Sequence, residues 1–363
     1  MKRQNSIPVF FSVLLLTIGC KNANDTNSWA MLPFTKIDSV NPILSPGVGE
    51  FLCPLLKTKV KWEEKDVFNP AATVRHDTVF LLYRAEDVIG KFAGTSRIGL
   101  AFSLDGIHFK RRTEPVLFPD EDFMKEYEWE GGIEDPRIIE REDGLYILTY
   151  TAYDGKIARL CVATSADLIH WTKQGLVLNG KYKDQWSKSG AIVGKRVGEK
   201  IIATKLEGKY WMYFGDTDLF IANSEDLIHW QPVEDNARLP DGQGNLKSVL
   251  KPRPGYFDSR LVESGPYGLI TDQGVLLLYN GMNGDTAIAK GAYCAGQALF
   301  DLNDPTRLIN RLEKNFLRPD KNYETLGQVN QVCFIEGMVH FKETWYLYYG
   351  TADSQIAVAA LKK

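Results

Sequence analysis

The chain has 363 residues, 44% of them apolar, with 43 lysines and arginines against 46 aspartates and glutamates and a formal net charge of −3. That is enough apolar material for one large closed domain or two ordinary ones. The near-balance of interspersed charges excludes the basic face that nucleic-acid binding needs.

The N-terminus, MKRQNSIPVFFSVLLLTIGC, opens on Lys2 and Arg3, runs apolar from Ile7 to Ile18 and ends in Gly19-Cys20. An apolar run this short suits a signal-peptide core rather than a membrane span. Gly19-Cys20 resembles a bacterial lipoprotein cleavage site. Residues 1–20 are therefore expected to be a lipoprotein-type signal peptide, with Cys20 as the lipidated first residue and the only attachment to a membrane. An exported protein without a lipid is the alternative. Residues 21–30 read as a polar tether and residues 31–363 as one domain. Cys53, Cys161, Cys294 and Cys333 are widely spaced and form no CxxC pair, so no metal cluster is expected. An exported compartment permits disulfides, but spacing does not pair them.

Two patterns recur along the rest of the chain. Ser-x-Asp-x-Ile-His-aromatic occurs at 103–109, 165–171 and 224–230. An apolar-aromatic strand ending in aspartate occurs five times, closing on Asp87, Asp154, Asp218, Asp285 and Asp353. Short alternating strands, turns such as EDG and DQG, and the absence of helical periodicity point to a repeated β-unit. Four strands in each of five units predict an all-β fold, a five-bladed β-propeller with a central funnel. Two β-sandwiches would not demand five equal units. The five aspartates should finish on one rim. Asp218 and Asp285 read as turn caps; Asp87, Asp154 and Asp353, with charged or aromatic neighbours, read as ligand contacts. Each aromatic residue reads first as sheet core and second as a platform for a sugar.

Three segments place polar residues at the starts of inner strands. GGIEDPR puts Asp135 15 residues before Tyr150, FNPAA puts Asn69 14 before Tyr83, and LVESGPYGLI puts Glu263 16 before Tyr279. Two carboxylates from different blades, with room for a water between them, are the equipment of an inverting glycosidase: one protonates the leaving oxygen and the other deprotonates the water. Arg84, Arg97 and Arg137 would keep the carboxylates ionised and grip sugar hydroxyls. A structural ring of ion pairs accounts for the same charges equally well. Glu199, 15 before Phe214, is a second candidate base. Glu207 reads as a turn residue on the far rim, and Glu134 should point away from Asp135 because strand neighbours alternate. The histidines of the repeated turn read as structural, with no metal-ligand spacing and no cofactor implied.

NPIL, FNPAA…LLYRAED, SRIGLAFSLDGIHF, GGIEDPR, LTYTAYDG, ARLCVATSADLIHW and LYYGTAD, in that order, resemble the mannoside phosphorylases and mannosidases of glycoside hydrolase family 130. The resemblance spans essentially the whole mature chain, and GGIEDPR is its most specific piece. It implies a five-bladed propeller acting on β-linked mannosides with inversion. It makes Asp135 the general acid and sets Asn69, Arg84, Asp87, Arg97 and Asp353 around the mannose to be cleaved. The family's phosphorylases hold phosphate with cations, and here the pattern departs. Phe214, Gly215 and Asp216 stand where they tend to read His-Arg-Pro. Asn280 replaces a histidine, Leu261 a lysine, and Glu263 a small residue. Fewer cations and one more carboxylate disfavour a bound dianion and favour deprotonating a water. The expected activity is hydrolysis of β-1,2-linked mannosides, a linkage implied by the resemblance alone, with Glu263 as base. The alternatives are a phosphorylase of the same family, holding phosphate with Lys205, Arg159 or Lys188, and a non-catalytic glycan-binding lipoprotein. The expected partner is a mannose-containing oligosaccharide; the sequence does not set the oligomeric state.

Overall fold

The computed structural model of the protein describes residues 27–92, 94–235, 245–285 and 289–362. The expected signal peptide, Cys20 and the first part of the tether lie outside the described residues. The fold begins earlier than the boundary at residue 31: Trp29 is buried with Met31 and Phe34 in the largest apolar cluster. A large ring seated in a core is not part of a tether. The four later cysteines are buried and unpaired.

The all-β expectation holds. Among the described residues, helix is confined to Lys125–Glu128, Asn322–Thr325 and a 3-10 turn at Gly180–Tyr182. Strands gather into five antiparallel units in chain order. The first runs Asp66–Arg75, Thr78–Glu86, Ser96–Ser103, Lys110–Arg111. The second runs Gly132–Glu140, Tyr146–Tyr153, Ala158–Ser165, Thr172–Leu176. The third runs Ala191–Val197, Tyr210–Phe214, Leu219–Ser224, Trp230–Pro232, with Lys200–Ala203 as an extra partner of its first strand. The fourth runs Leu261–Thr271, Gly274–Met282, Tyr293–Phe300, Leu308–Arg311. The fifth runs Cys333–Phe341, Thr344–Thr351, Gln355–Lys362, and its outer strand is the N-terminal Thr35–Lys36, paired through Thr35↔Ala360.

The first strands meet their neighbours. Ser96 pairs in parallel with Gly132, Glu140 with Ile202, and Val193 with Gly268. The Asn280 amide exchanges hydrogen bonds with the Ile335 backbone, and Gly337 lies against the Pro70 carbonyl. Gly132–Glu140 and Cys333–Phe341 are buried at every position. Strands covered on both faces normally read as unbroken apolar runs. Charges inside these strands are therefore the feature to explain.

The repeated motifs have defined jobs. In each Ser-x-Asp turn the aspartate accepts the backbone N–H groups two and three residues on and meets the histidine Nδ1 at 2.7 Å, in copies at Asp105, Asp167 and Asp226. The histidines are exposed, as a turn-shaping role requires. The tyrosine of each second strand is also tied down. Tyr83 donates to Glu63, Tyr150 to Glu128, Tyr279 to Asp258 and Tyr349 to Glu324. Each of these buried acids takes a cation from its unit's outer strand: Arg111, Lys173, Arg311 and Lys36. The third unit lacks this clasp, and Tyr213 donates to the Pro305 carbonyl.

Breaking a clasp leaves a buried carboxylate without its cation, which costs about 3–5 kcal/mol. Lys36→Ala, which strands Glu324, should lower unfolding stability in urea by about 3 kcal/mol. Lys181→Ala, which removes an exposed pair with Glu234, should leave it essentially unchanged.

Candidate active site

Four of the five first strands break their ladder close to their neighbours. Pairing slips between Phe68 and Pro70, Glu134 and Arg137, Ser264 and Gly268, and Ile335 and Gly337. Asn69 and Asp135 sit in these bulges at φ +47, and Ser189, just before the third unit's first strand, is at φ +58. Asparagine and aspartate tolerate the left-handed region better than most residues. A bulge re-aims a side chain that a regular strand would pack away.

Asp135 is buried and heavily held. Asn69 Nδ2 donates to its Oδ1 at 2.9 Å and Arg84 Nη1 to the same oxygen at 3.1 Å. Lys188 Nζ stands 3.2 Å from Oδ2. Burial alone would raise the Asp135 pKa. The charges of Lys188, Arg84 and Arg137 and the Asn69 amide overcome that and hold it well below the usual carboxylate range. Arg137 crosses between units: it donates to the backbone carbonyls of Asp135, Ser264 and Gly265.

Glu263 behaves in the opposite way. It is buried and accepts a hydrogen bond from Ser189 Oγ. Burial pushes its pKa up to about 7; Asp216 and Asp135 add to the rise, and Lys188 and Arg137 oppose it. Asp353, half-buried at the end of the fifth unit's second strand, is also raised to about 7, by burial first and then by Asp135 and Glu86 against the pull of Arg84 and Lys188. Lys188 thus lies in the field of Asp135, Glu263, Glu134 and Asp216, which keep it charged despite burial. Two neighbouring carboxyl groups whose environments drive their pKa values apart are the arrangement expected of an acid–base pair.

Of the residues expected at the site, Asp135, Glu263, Asn69, Arg84, Arg137 and Asp353 come together. Asp87, Arg97 and Asp154 do not touch Asp135. Asp87 and Arg97 pair with each other at 2.6 Å, both buried, and Asp154 pairs with Arg159 at 2.8 Å. Glu199 is excluded as a base: it lies in the turn after Ala191–Val197 and accepts the Lys342 backbone N–H. Spacing back from Phe214 pointed to Glu199, but the extra hairpin of the third unit moves the matching slot to Ser189. Glu134 does not point away. The bulge defeats simple alternation, and Glu134 Oε1 takes Arg84 Nη2 at 3.0 Å, sharing that arginine with Asp135. Of the cations that could have gripped phosphate, Arg159 is committed to Asp154 and Asp184, and Lys205 lies over the Tyr210 ring.

Two members were missed, Ser189 and Glu336, and Lys188 was given only a secondary role. Glu336 occupies the fifth unit's bulge, 2.6 Å from Arg137 but too poorly aimed to complete a hydrogen bond. Burial, then Asp135 and Glu263, push its pKa well up against the pull of Arg137. A signal for these positions exists. Asn69-Pro70, Asp135-Pro136, Ser189-Gly190, Ser264-Gly265 and Glu336-Gly337 are each a polar residue followed by proline or glycine at the start of a unit. No group of described residues could hold a metal ion.

Two buried carboxyl groups with opposed pKa shifts, gripped by arginine and lysine, are a composition suited to an enzyme. The comparisons agree: residues 54–363 match the family model for glycoside hydrolase family 130, described as beta-1,4-mannooligosaccharide phosphorylase, and the chain belongs to that mannoside-active family. A 1,2-beta-oligomannan phosphorylase of Thermoanaerobacter sp. (strain X514) is 34% identical over 316 residues, 84% of this chain and 93% of the relative. A glycosyl hydrolase of Bacteroides ovatus of known structure is 47% identical, with a TM-score of 0.87 over 92% of this chain and 94% of that one. A further solved structure, 46% identical with a TM-score of 0.87 over 92% and 95% of the two chains, is described as showing that this family of mannoside phosphorylases contains glycoside hydrolases that target beta-1,2 mannosidic linkages in Candida mannan.

The raised pKa of Glu263 has a stability consequence. The native state holds that proton more tightly than the unfolded chain, so stability falls as pH rises from about 4.5 through about 7. Glu263→Gln cannot acquire the charge. Its melting temperature should exceed that of the parent by about 3 °C at pH 8 and match it at pH 5, as read by calorimetry at the two pH values. A difference that does not change with pH would show that Glu263 carries no such burden.

Proposed function

We propose that the protein hydrolyses β-1,2-linked mannosides with inversion, releasing mannose, with Asp135 as general acid and Glu263 as the base that activates water. The observation that carries this is Glu263 itself, a buried carboxyl with its pKa raised to about 7 beside Asp135. By resemblance it replaces a small residue close to positions where the family's phosphorylases carry cations. At neutral pH such a group is divided between its two forms, which suits a base. Asp135 must gain a proton before it can give one. A neutral sugar entering between Asp135 and Lys188 weakens that pair and removes water, and both effects raise the Asp135 pKa toward a donor's range. Asn69 and Arg84 stay on the other oxygen and fix its aim. In this reading the five units are five propeller blades around one axis, with Thr35–Lys36 completing the last, and the bulges line the axial funnel.

Phosphorolysis is the second reading, favoured by the name of the Thermoanaerobacter relative and by Lys188 at the site. Product analysis on β-1,2-mannobiose separates the two. Hydrolysis gives free mannose without phosphate, with kcat/KM rising as pH passes about 7. Asp135→Asn and Glu263→Gln should each lower kcat by about 10²–10⁴-fold. Mannose 1-phosphate formed only when phosphate is added would replace this reading with the phosphorylase.

We also propose that residues 1–20 direct export and that Cys20 carries the lipid, on the strength of the leader sequence. Cys20→Ser should then move the protein from the membrane fraction to the soluble exported fraction of the source bacterium on immunoblots. A wild-type protein found in the cytosol would refute the assignment.

A further inference from the structure

A row of three aromatic rings runs beside the Asp135 cluster. The Phe92 and Tyr153 centroids are 6.1 Å apart, and those of Tyr153 and Trp186 are 6.3 Å apart. The rings come from three units: the loop after the first unit's second strand, the end of the second unit's second strand, and the segment leading into the third unit. Phe92 is 38% and Trp186 48% exposed. A single exposed ring is ordinary, but three in contact at the edge of a polar site form a surface with a use. A cavity of about 230 Å³, with room for one pyranose ring, has Phe92 and Tyr153 on one wall and Arg84 and Glu134 on another. Arg84 is also bonded to Asp135, so the row begins on the proton donor's side.

The row is held in position. Asp87 Oδ1 accepts the Ile89 and Thr95 backbone N–H groups at 3.1 and 2.9 Å, and its Oδ2 takes Arg97, which pins both ends of the loop that carries Phe92. Asp154 accepts the Lys156 and Ile157 N–H groups and pairs with Arg159. Arg159 in turn reaches Asp184 at 2.8 Å, two residues before Trp186. The Trp186 indole N–H donates to Asp216 at 2.7 Å. Gly155 lies against Phe92 and Gly131 against Tyr153, each too close to admit a Cβ.

We propose that Phe92, Tyr153 and Trp186 form a preorganised shelf for the leaving-group sugar of the β-mannoside, and that Asp87, Arg97, Asp154 and Arg159 are positioning residues that hold the loops carrying it. This rests on the reading of Asp135 as proton donor. A pyranose presents a face of C–H groups that stacks on aromatic rings, and rings fixed in advance lose little entropy on binding. The glycosidic oxygen then lies at Asp135, with the sugar being released over the cavity and the shelf. The cleaved mannose lies on the other side, toward Glu263.

The test compares β-1,2-mannobiose with methyl β-mannopyranoside, which has no leaving-group sugar. It uses kcat/KM in the full chain and calorimetric Kd in the Asp135→Asn background, where no turnover is needed. In Trp186→Ala and in Phe92→Ala the preference for the disaccharide should fall about tenfold in both readouts, and Trp186→Phe should restore most of it. An equal loss on both ligands, which a purely structural role would give, overturns the proposal, as does an unchanged preference. Failure of the wild type to release mannose, with the binding preference behaving as expected, would sink the hydrolase reading and leave the shelf standing.

Discussion

A strand buried on both faces has nowhere to put a charge, because its side chains alternate between two packed surfaces. The first strands of this protein meet that constraint by breaking step at the place where they converge. A bulge at Asn69, Asp135 or Glu336 turns one polar side chain out of the alternation. The glycine or proline that follows lets a neighbouring strand come close, as Gly337 does against the Pro70 carbonyl. Everything chemical at the site follows from those breaks. They bring Asp135 under Arg84 and Lys188, place Ser189 on Glu263, and let Arg137 stitch the second unit to the fourth.

Once charges are confined in this way, they set one another's state. Arg84 serves Glu134 and Asp135 together, and Lys188 lies among several carboxyl groups. One aspartate is held ionised while Glu263, Asp353 and Glu336 are pushed toward the neutral form. The shared cations cannot satisfy all of the acids at once. That imbalance is the physical basis of the proposed preference for moving a proton over holding a further anion. The same crowding makes the centre the least comfortable part of the fold, a common bargain between stability and function.

Much of this was legible in the sequence. The five aspartate-terminated strands gave the repeat, and each is the second strand of one antiparallel unit. Asp135, Glu263, Asn69, Arg84 and Arg137, which the structure brings together, lie in or beside segments set at a near-constant distance from a repeated tyrosine. Failures came where the repeat is irregular or where a local rule was applied too literally. Glu199 was a candidate because an extra hairpin lengthens the third unit. Glu134 was dismissed because alternation was assumed to run through a bulge. Asp87, Arg97 and Asp154 are expected at the sugar; in the structure Asp87 pairs with Arg97 and Asp154 with Arg159, and both aspartates hold loop backbone. Charge and motif mark a residue as important; only partners show whether it touches the site or supports something that does.

The clasps between second-strand tyrosines, buried acids and outer-strand cations bear on how the chain reaches this state. In the first, second and fourth units the acid and its cation lie within a few dozen residues of each other. In the fifth, Lys36 and Tyr349 both donate to Glu324, and Thr35 pairs with Ala360. That sheet joins Thr35–Lys36 to Gln355–Lys362, so among the described residues its contacts have the greatest sequence separation and should form late. A growing chain can assemble its middle units, but the last sheet has to wait for residues near the C-terminus. Until then Tyr349 cannot reach Glu324, Thr35–Lys36 has no strand to pair with, and an open sheet edge is left for chaperones, or for another copy, to find.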